Sequence, residues 1–149
     1  MQSATLRINP MFLFVTVMLL GSCGGGDSEP AETSTQLSAS DQILQQAYLD
    51  GTSDLQVEGE GTVTRRLADD NDGSRHQRFI LQLASTQTLL VAHNIDLAPR
   101  INTLAVGDRV AFYGEYEWGE QGGVIHWTHH DPAGVHVDGW LKHEGVTYQ

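Results

Sequence analysis

The stretch Leu55–Thr64, LQVEGEGTVT, narrows the fold more than any other part of the sequence. Leu55, Val57, Gly59, Gly61 and Val63 fall on one face, and Gln56, Glu58, Glu60, Thr62 and Thr64 fall on the other. That alternation marks a half-buried strand. Two glycines on the inner face leave no Cβ to hold a neighbour away, so a strand of this length can coil as a small closed barrel requires.

The flanking segments supply strands and connections for such a barrel. Before it, Ser40 is placed to cap a short helix over Asp41–Leu49, with Ile43, Leu44, Ala47 and Tyr48 at one-turn spacing. After it, Phe79, Leu81 and Leu83 alternate, a polar turn covers 85–87, and Leu89–Ala92 forms the return strand, ended by His93. Leu97, Ile101 and Leu104 then recur at helical spacing around Pro99, which predicts a short helix or helical turn bridging to the next strand. Val110–Trp118 is the clearest strand, followed by a glycine turn, a partner strand over Gly123–Thr128, and a final small hairpin around Glu144-Gly145. The order of long strand, hairpin, helical bridge and hairpin is similar to the five-stranded oligonucleotide/oligosaccharide-binding (OB) barrel. The fold class expected is therefore all-β: a small five-stranded OB-like barrel with a short bridging helix.

The segments HQRFILQL, LLVAHNIDLAPR, GDRVAFYGEYEW and GGVIHWTHHDP, spread over His76–Gln149, resemble an uncharacterised family of short exported bacterial proteins. That resemblance brings no activity and no site residues with it. Export has its own mark at the other end: Arg7, the run Met11–Leu20, then Gly21 and Ser22 before Cys23. The run is too short to span a bilayer. Leu20-Gly21-Ser22-Cys23 resembles the lipobox of bacterial lipoproteins, which implies cleavage before Cys23, a diacylglycerol on its thiol and an added amino-terminal acyl chain. Gly24 in place of an aspartate resembles the pattern of lipoproteins released to the outer membrane. The expected organisation is a lipoprotein signal peptide over 1–22, a lipidated flexible tether over 23–39 and a barrel domain with its N-terminal helix over 40–149. The tether, rich in Gly, Ser, Thr, Glu and Pro, has too little apolar surface to fold. The expected location is the bacterial cell envelope, at the outer membrane facing the periplasm.

Composition removes several function classes. Acidic residues outnumber Lys and Arg by 19 to 8, which disfavours nucleic acid as a partner. Arg65, Arg66, Arg75 and Arg78 nevertheless lie close in sequence and leave room for a local basic patch. The single cysteine rules out an internal disulfide. The acidic loop Asp69–Ser74 reads as a solvated hairpin loop: aligning Gly73 with the glycine of a calcium-binding EF-hand loop puts Ala68 at the first ligand position and Phe79 at the last. No serine has the strand-turn-helix context of a nucleophile elbow, and no glycine-rich phosphate loop follows a strand.

The chemistry-bearing residues concentrate in Gly122–Trp140, which holds His126, His129, His130 and His136. A turn between Trp118 and Gly123 sets Glu115 opposite His126, Tyr116 opposite Ile125 and Gly114 opposite Trp127. That register buries Phe112, Tyr116, Trp118, Ile125 and Trp127, and turns Tyr113, Glu115, Glu117, His126 and Thr128 outward. Glu115 and Glu117 beside His126 are the catalytic candidates, since an adjacent carboxylate favours the imidazolium, although exposed Glu–His neighbours are commonly plain surface pairs. Tyr113, Trp127, His129, His130 and His136 are the binding candidates. His129, His130, Asp131 and His136 are the candidate ligands for zinc or another divalent transition metal. In an extended strand His126 and His130 would stand about 13 Å apart, so a shared ion requires the strand to stop near Thr128 and the turn Asp131–Gly134 to fold the chain back. The alternative is that these histidines bond backbone groups and stiffen a loop.

Two functions remain. The first is a binding or accessory module, lipid-anchored to the bacterial membrane, that takes an envelope glycan, peptide or protein. The other is a metal-dependent hydrolase or metal-handling protein built on the His126–His136 cluster.

Overall fold

A computed structural model describes residues 36–149; the expected signal segment, Cys23 and most of the expected tether lie outside them. The first element is the helix α1 (Ala39–Asp50). Its cap is Ser38 rather than Ser40: the Ser38 hydroxyl accepts from the Asp41 amide at 3.0 Å, and Gly51, at φ 68°, closes the other end. Leu44 and Ala47 enter the core, while Ile43 and Leu49 stay exposed.

Seven strands follow: β1 (Leu55–Arg66), β2 (His76–Gln82), β3 (Thr88–Asn94), β4 (Arg109–Glu117), β5 (Val124–His126), β6 (Trp140–His143) and β7 (Val146–Tyr148). β1 is shared between two neighbours. Leu55–Thr62 pairs with β4, and Thr62–Arg66 pairs with β2 across a bulge between Val63 and Arg65. With β2 beside β3, β3 parallel to β5 and β5 antiparallel to β4, five strands close into a barrel of OB-like order. The long glycine-bearing strand thus does what its pattern predicts. Gly59 stands opposite Phe112, and a Cβ on it would come within 2.6 Å of the Phe112 ring. The missing side chain lets that ring fill the barrel.

The bridge from β3 to β4 is a single turn rather than a regular helix. Ala98 N donates to Asn94 O at 3.1 Å, but Pro99 has no N–H to continue. The buried Gln77 amide then takes both backbone groups of Ile101, donating to its carbonyl and accepting from its N–H at 2.9 Å each. Those groups are lost to a helix, and Ile101 and Leu104 are fixed in the core.

The second edge of β4 is divided. Its far end, Glu115–Glu117, pairs with β5, and its near end, Val110–Tyr113, pairs with β6. Between these pairings β4 has only Gly114, whereas the opposing chain runs through 127–139. The histidine-rich segment is therefore an Ω-like excursion with both ends on one strand. β6 and β7 close the chain as a hairpin whose turn residues Glu144 and Gly145 both have positive φ.

Candidate functional site

The loop begins with a strained residue. Strand β5 stops at His126, two residues before the expected Thr128, because Trp127 adopts φ 50°, a region disfavoured for a bulky side chain. The reversal corrects the predicted facing. Trp127 turns to the surface, only half-buried, and Thr128 takes the buried place over Gly114. A Cβ on Gly114 would lie 2.5 Å from His126 O and 2.9 Å from Thr128 Cγ2. Trp118 also differs from expectation: it is 42% exposed, and its indole N–H donates to Tyr48 O on α1.

Thr128 anchors the loop to the barrel. Its hydroxyl meets His93 Nδ1 at 2.8 Å, and His93 Nε2 meets the Pro99 carbonyl at 3.2 Å. A carbonyl only accepts, so Nε2 carries the proton and Nδ1 accepts from the hydroxyl. Burial pushes His93 down to about 4, assisted by the nearby His129 and His76 and opposed by the hydrogen bond to Pro99.

At the far neck Gly139 N donates to His129 O at 2.9 Å. Within the loop Asp131 organises the backbone, its carboxylate accepting from the amides of Ala133, Val135 and His136 at 2.7–2.9 Å. Those amides hold its pKa below the usual carboxylate range. Its own N–H donates to Asp138 at 2.8 Å, and Asp138 meets His130 Nδ1 at 2.6 Å. His129 Nδ1 is 2.6 Å from His130 O. The candidate ligands His129, His130, Asp131 and His136 thus face different partners, and the structure does not bring them together.

His136 folds back across the barrel. Its Nε2 meets Glu115 Oε2 at 2.7 Å and its Nδ1 meets Val137 O at 2.8 Å. Neither an ionised carboxylate nor a carbonyl can donate, so both ring nitrogens do, and the ring is an imidazolium. It stacks on Trp127 at 4.1 Å between centroids and 8° between planes, a cation–π arrangement. Burial lowers the His136 pKa, but the bonds to Glu115 and Val137 and the charges of Glu115 and Asp131 outweigh it, leaving it raised.

Glu115 stands opposite His126 in the expected register. Glu115 Oε1 lies 3.0 Å and Glu117 Oε1 3.8 Å from His126 Nε2. These three side chains, not the run from His129 to His136, form the group with metal-ligand proximity among the described residues: one ligand atom from each lies within 4.8 Å of the other two.

On the outer face of β2, β3 and β5, a cleft of about 520 Å³ is lined by His76, Asn94, Leu97, His126, Trp127 and His129. A separate hollow of about 340 Å³ lies toward the β4–β5 turn, between Arg65, Ile80, Leu90 and Val124. Of the four clustered arginines, Arg75 pairs with Asp96 and Arg78 with Asp70, while Arg65 lines this hollow. Tyr113 lies apart, tilted against Trp140 at 6.3 Å, with the Lys142 ammonium 5.3 Å from the Trp140 ring. The outer face of β2 and β3 carries no chemical signature in sequence. Its half-buried residues alternate with core residues, and only the closed barrel shows that they adjoin Trp127.

The profile of a family described as a protein of unknown function (DUF3465) matches residues 30–149. The chain belongs to that family. The DUF3465 match takes in the helix, the whole barrel and the histidine loop. No curated protein matches the chain.

Proposed function

We propose that the protein is a binding or accessory module of the bacterial cell envelope, taking an elongated ligand across the outer face of β2, β3 and β5 beside the histidine loop. The observation that carries this reading is the display of Trp127. A bulky residue held at φ 50° carries a backbone strain that a continued strand would have avoided, and its indole is kept at the surface against the charged His136 ring. Such strain persists where the surroundings over-determine it, and it concentrates at ligand sites. The indole forms part of the cleft wall, with the polar His76 and Asn94 at the same end and the apolar Ile80, Leu90 and Val124 further along the face. Apolar surface with a few convergent polar groups suits ligand binding, and OB-type barrels bind oligosaccharides on this face. An envelope glycan strand fits this mixture best, since each sugar ring offers an apolar face and a hydroxyl edge.

The anchoring part of the proposal rests on Leu20-Gly21-Ser22-Cys23 after the apolar run. Lipidated Cys23 would hold the barrel at the periplasmic side of the outer membrane. Labelling with palmitate should mark the wild type and spare Cys23→Ala, which should leave the membrane fraction. Soluble cell-wall glycan fragments should change the tryptophan fluorescence of the full chain saturably, and Trp127→Ala should lose both the signal and retention on immobilised glycan. A glycan that binds Trp127→Ala as tightly as wild type would reject this face. Binding of envelope peptides alone would replace the glycan as ligand.

A further inference from the structure

The geometry points to a divalent metal site formed by Glu115, Glu117 and His126, which we propose as distinct from the histidine run that attracts attention in the sequence. Glu115 and Glu117 are two apart on β4 and project from one face, while β5 places His126 opposite Glu115. One oxygen or nitrogen from each lies within 4.8 Å of the other two. The closest pair, at 3.0 Å, is near the spacing of adjacent ligands around an ion with bonds of about 2.0–2.2 Å.

Two further observations point to a cation rather than a plain ion pair. The first is His126 Nε2, which is shielded from water and lacks a hydrogen-bond partner, although Glu115 Oε1 is only 3.0 Å away. The contact has the length of a hydrogen bond without its alignment. A nitrogen whose lone pair is to face an ion between two carboxylates would show that mismatch. The second is the orientation of Glu115. His136 holds its Oε2 at 2.7 Å, and the His136 ring is itself fixed by Val137 O and by Trp127. Oε1 is thereby left for the ion. Ligating carboxylates are commonly oriented in this way by outer hydrogen bonds.

The donor set is one imidazole and two carboxylates, which suits a first-row divalent ion such as Zn²⁺ or Mn²⁺ and balances its charge. Three protein ligands leave coordination positions for water or a ligand group. His126 also lines the outer cleft, so an ion held there would stand at the edge of the face proposed for ligand binding. The site does not depend on that reading, because it is defined by metal uptake alone.

The test is isothermal titration of the untagged full chain with ZnCl₂ and with MnCl₂, together with elemental analysis after dialysis. One equivalent of either ion is expected. Glu117→Gln and His126→Gln should each abolish stoichiometric uptake, with circular dichroism showing the fold retained. His136→Gln should weaken uptake roughly tenfold, as removal of an outer hydrogen bond does. His129→Ala should leave it unchanged. No uptake of either ion by the wild type would overturn the proposal. So would uptake that survives Glu117→Gln and His126→Gln, or uptake lost in a folded His129→Ala, which would place the ion on the loop instead.

Discussion

At the scale of single residues, two glycines of the histidine loop differ in what constrains them, Gly139 at the neck by contact and Gly134 at the tip by backbone conformation alone. A Cβ on Gly139 would collide with Trp127 O and come within 2.5 Å of Tyr113 O. Both obstacles are backbone, so relief would require the neck to open. Gly134, at the loop tip, has φ 66° but open space around its Cβ, so substitution there meets only the local cost of a left-handed backbone. Gly139→Ala is therefore expected to destabilise the protein by about 3 kcal/mol, the upper end of overpacking costs, and Gly134→Ala by roughly 1 kcal/mol. Urea unfolding of the two variants measures the difference; equal losses would show that the neck is not a close-packed crossing. Neither role was legible in the sequence. GGVIHW and VDGW announce turns, but a close approach between backbones more than ten residues apart depends on how β4 divides its edge.

At the scale of the element, the loop is organised by Asp131 rather than by its histidines. Three amide donors converge on one carboxylate, and the depressed pKa follows first from those donors. For a carboxyl group lowered in the folded state, the stabilising contribution is present above the ordinary carboxyl value and is lost as pH falls through the folded one. At neutral pH the clasp is intact. Asp131→Ala should leave the barrel folded and speed amide exchange at Ala133, Val135 and His136 by on the order of tenfold. Exchange at Phe79, Leu81 and Val91 should not change. If the loop amides keep wild-type protection, the clasp lies elsewhere. The sequence marked Asp131-Pro132-Ala133-Gly134 as a turn and offered Asp131 as a metal ligand. The structure shows another role, that of a backbone acceptor. Strands were more legible because alternation survives local detail: β1 and β4 emerge from period two, and the Glu115–His126 register follows once the turn between Trp118 and Gly123 is placed. The register broke at Trp127 because a positive φ in a tryptophan has no signature in its neighbours.

For the whole molecule, His93 is the junction through which barrel, bridge and loop are joined. It lies one residue before the end of β3, donates to Pro99 in the bridge and accepts from Thr128 at the loop root, while wholly buried. The sequence showed it only as the residue that ends a strand. Its two partners come from separate elements, the bridge and the loop root, and the barrel must close before they meet. The consequence is a definite dependence of stability on pH. Burial lowers the folded-state pKa from 6.5 to about 4, so between those values the unfolded chain binds the proton more readily than the folded one. The contribution of neutral His93 is therefore complete above about pH 6.5 and declines as pH falls toward 4, by roughly 3 kcal/mol in all. His136 acts with the opposite sign, because its pKa is raised, so the change in the wild type alone would mix the two. The comparison that isolates His93 is with His93→Gln, whose amide can replace both hydrogen bonds without titrating. Unfolding free energies from urea titration at pH 7 and pH 4.5 should show the wild type losing more stability than His93→Gln. If both proteins lose the same amount, the proton is being taken up elsewhere, and His93 is not the group through which acid loosens the junction of loop and barrel.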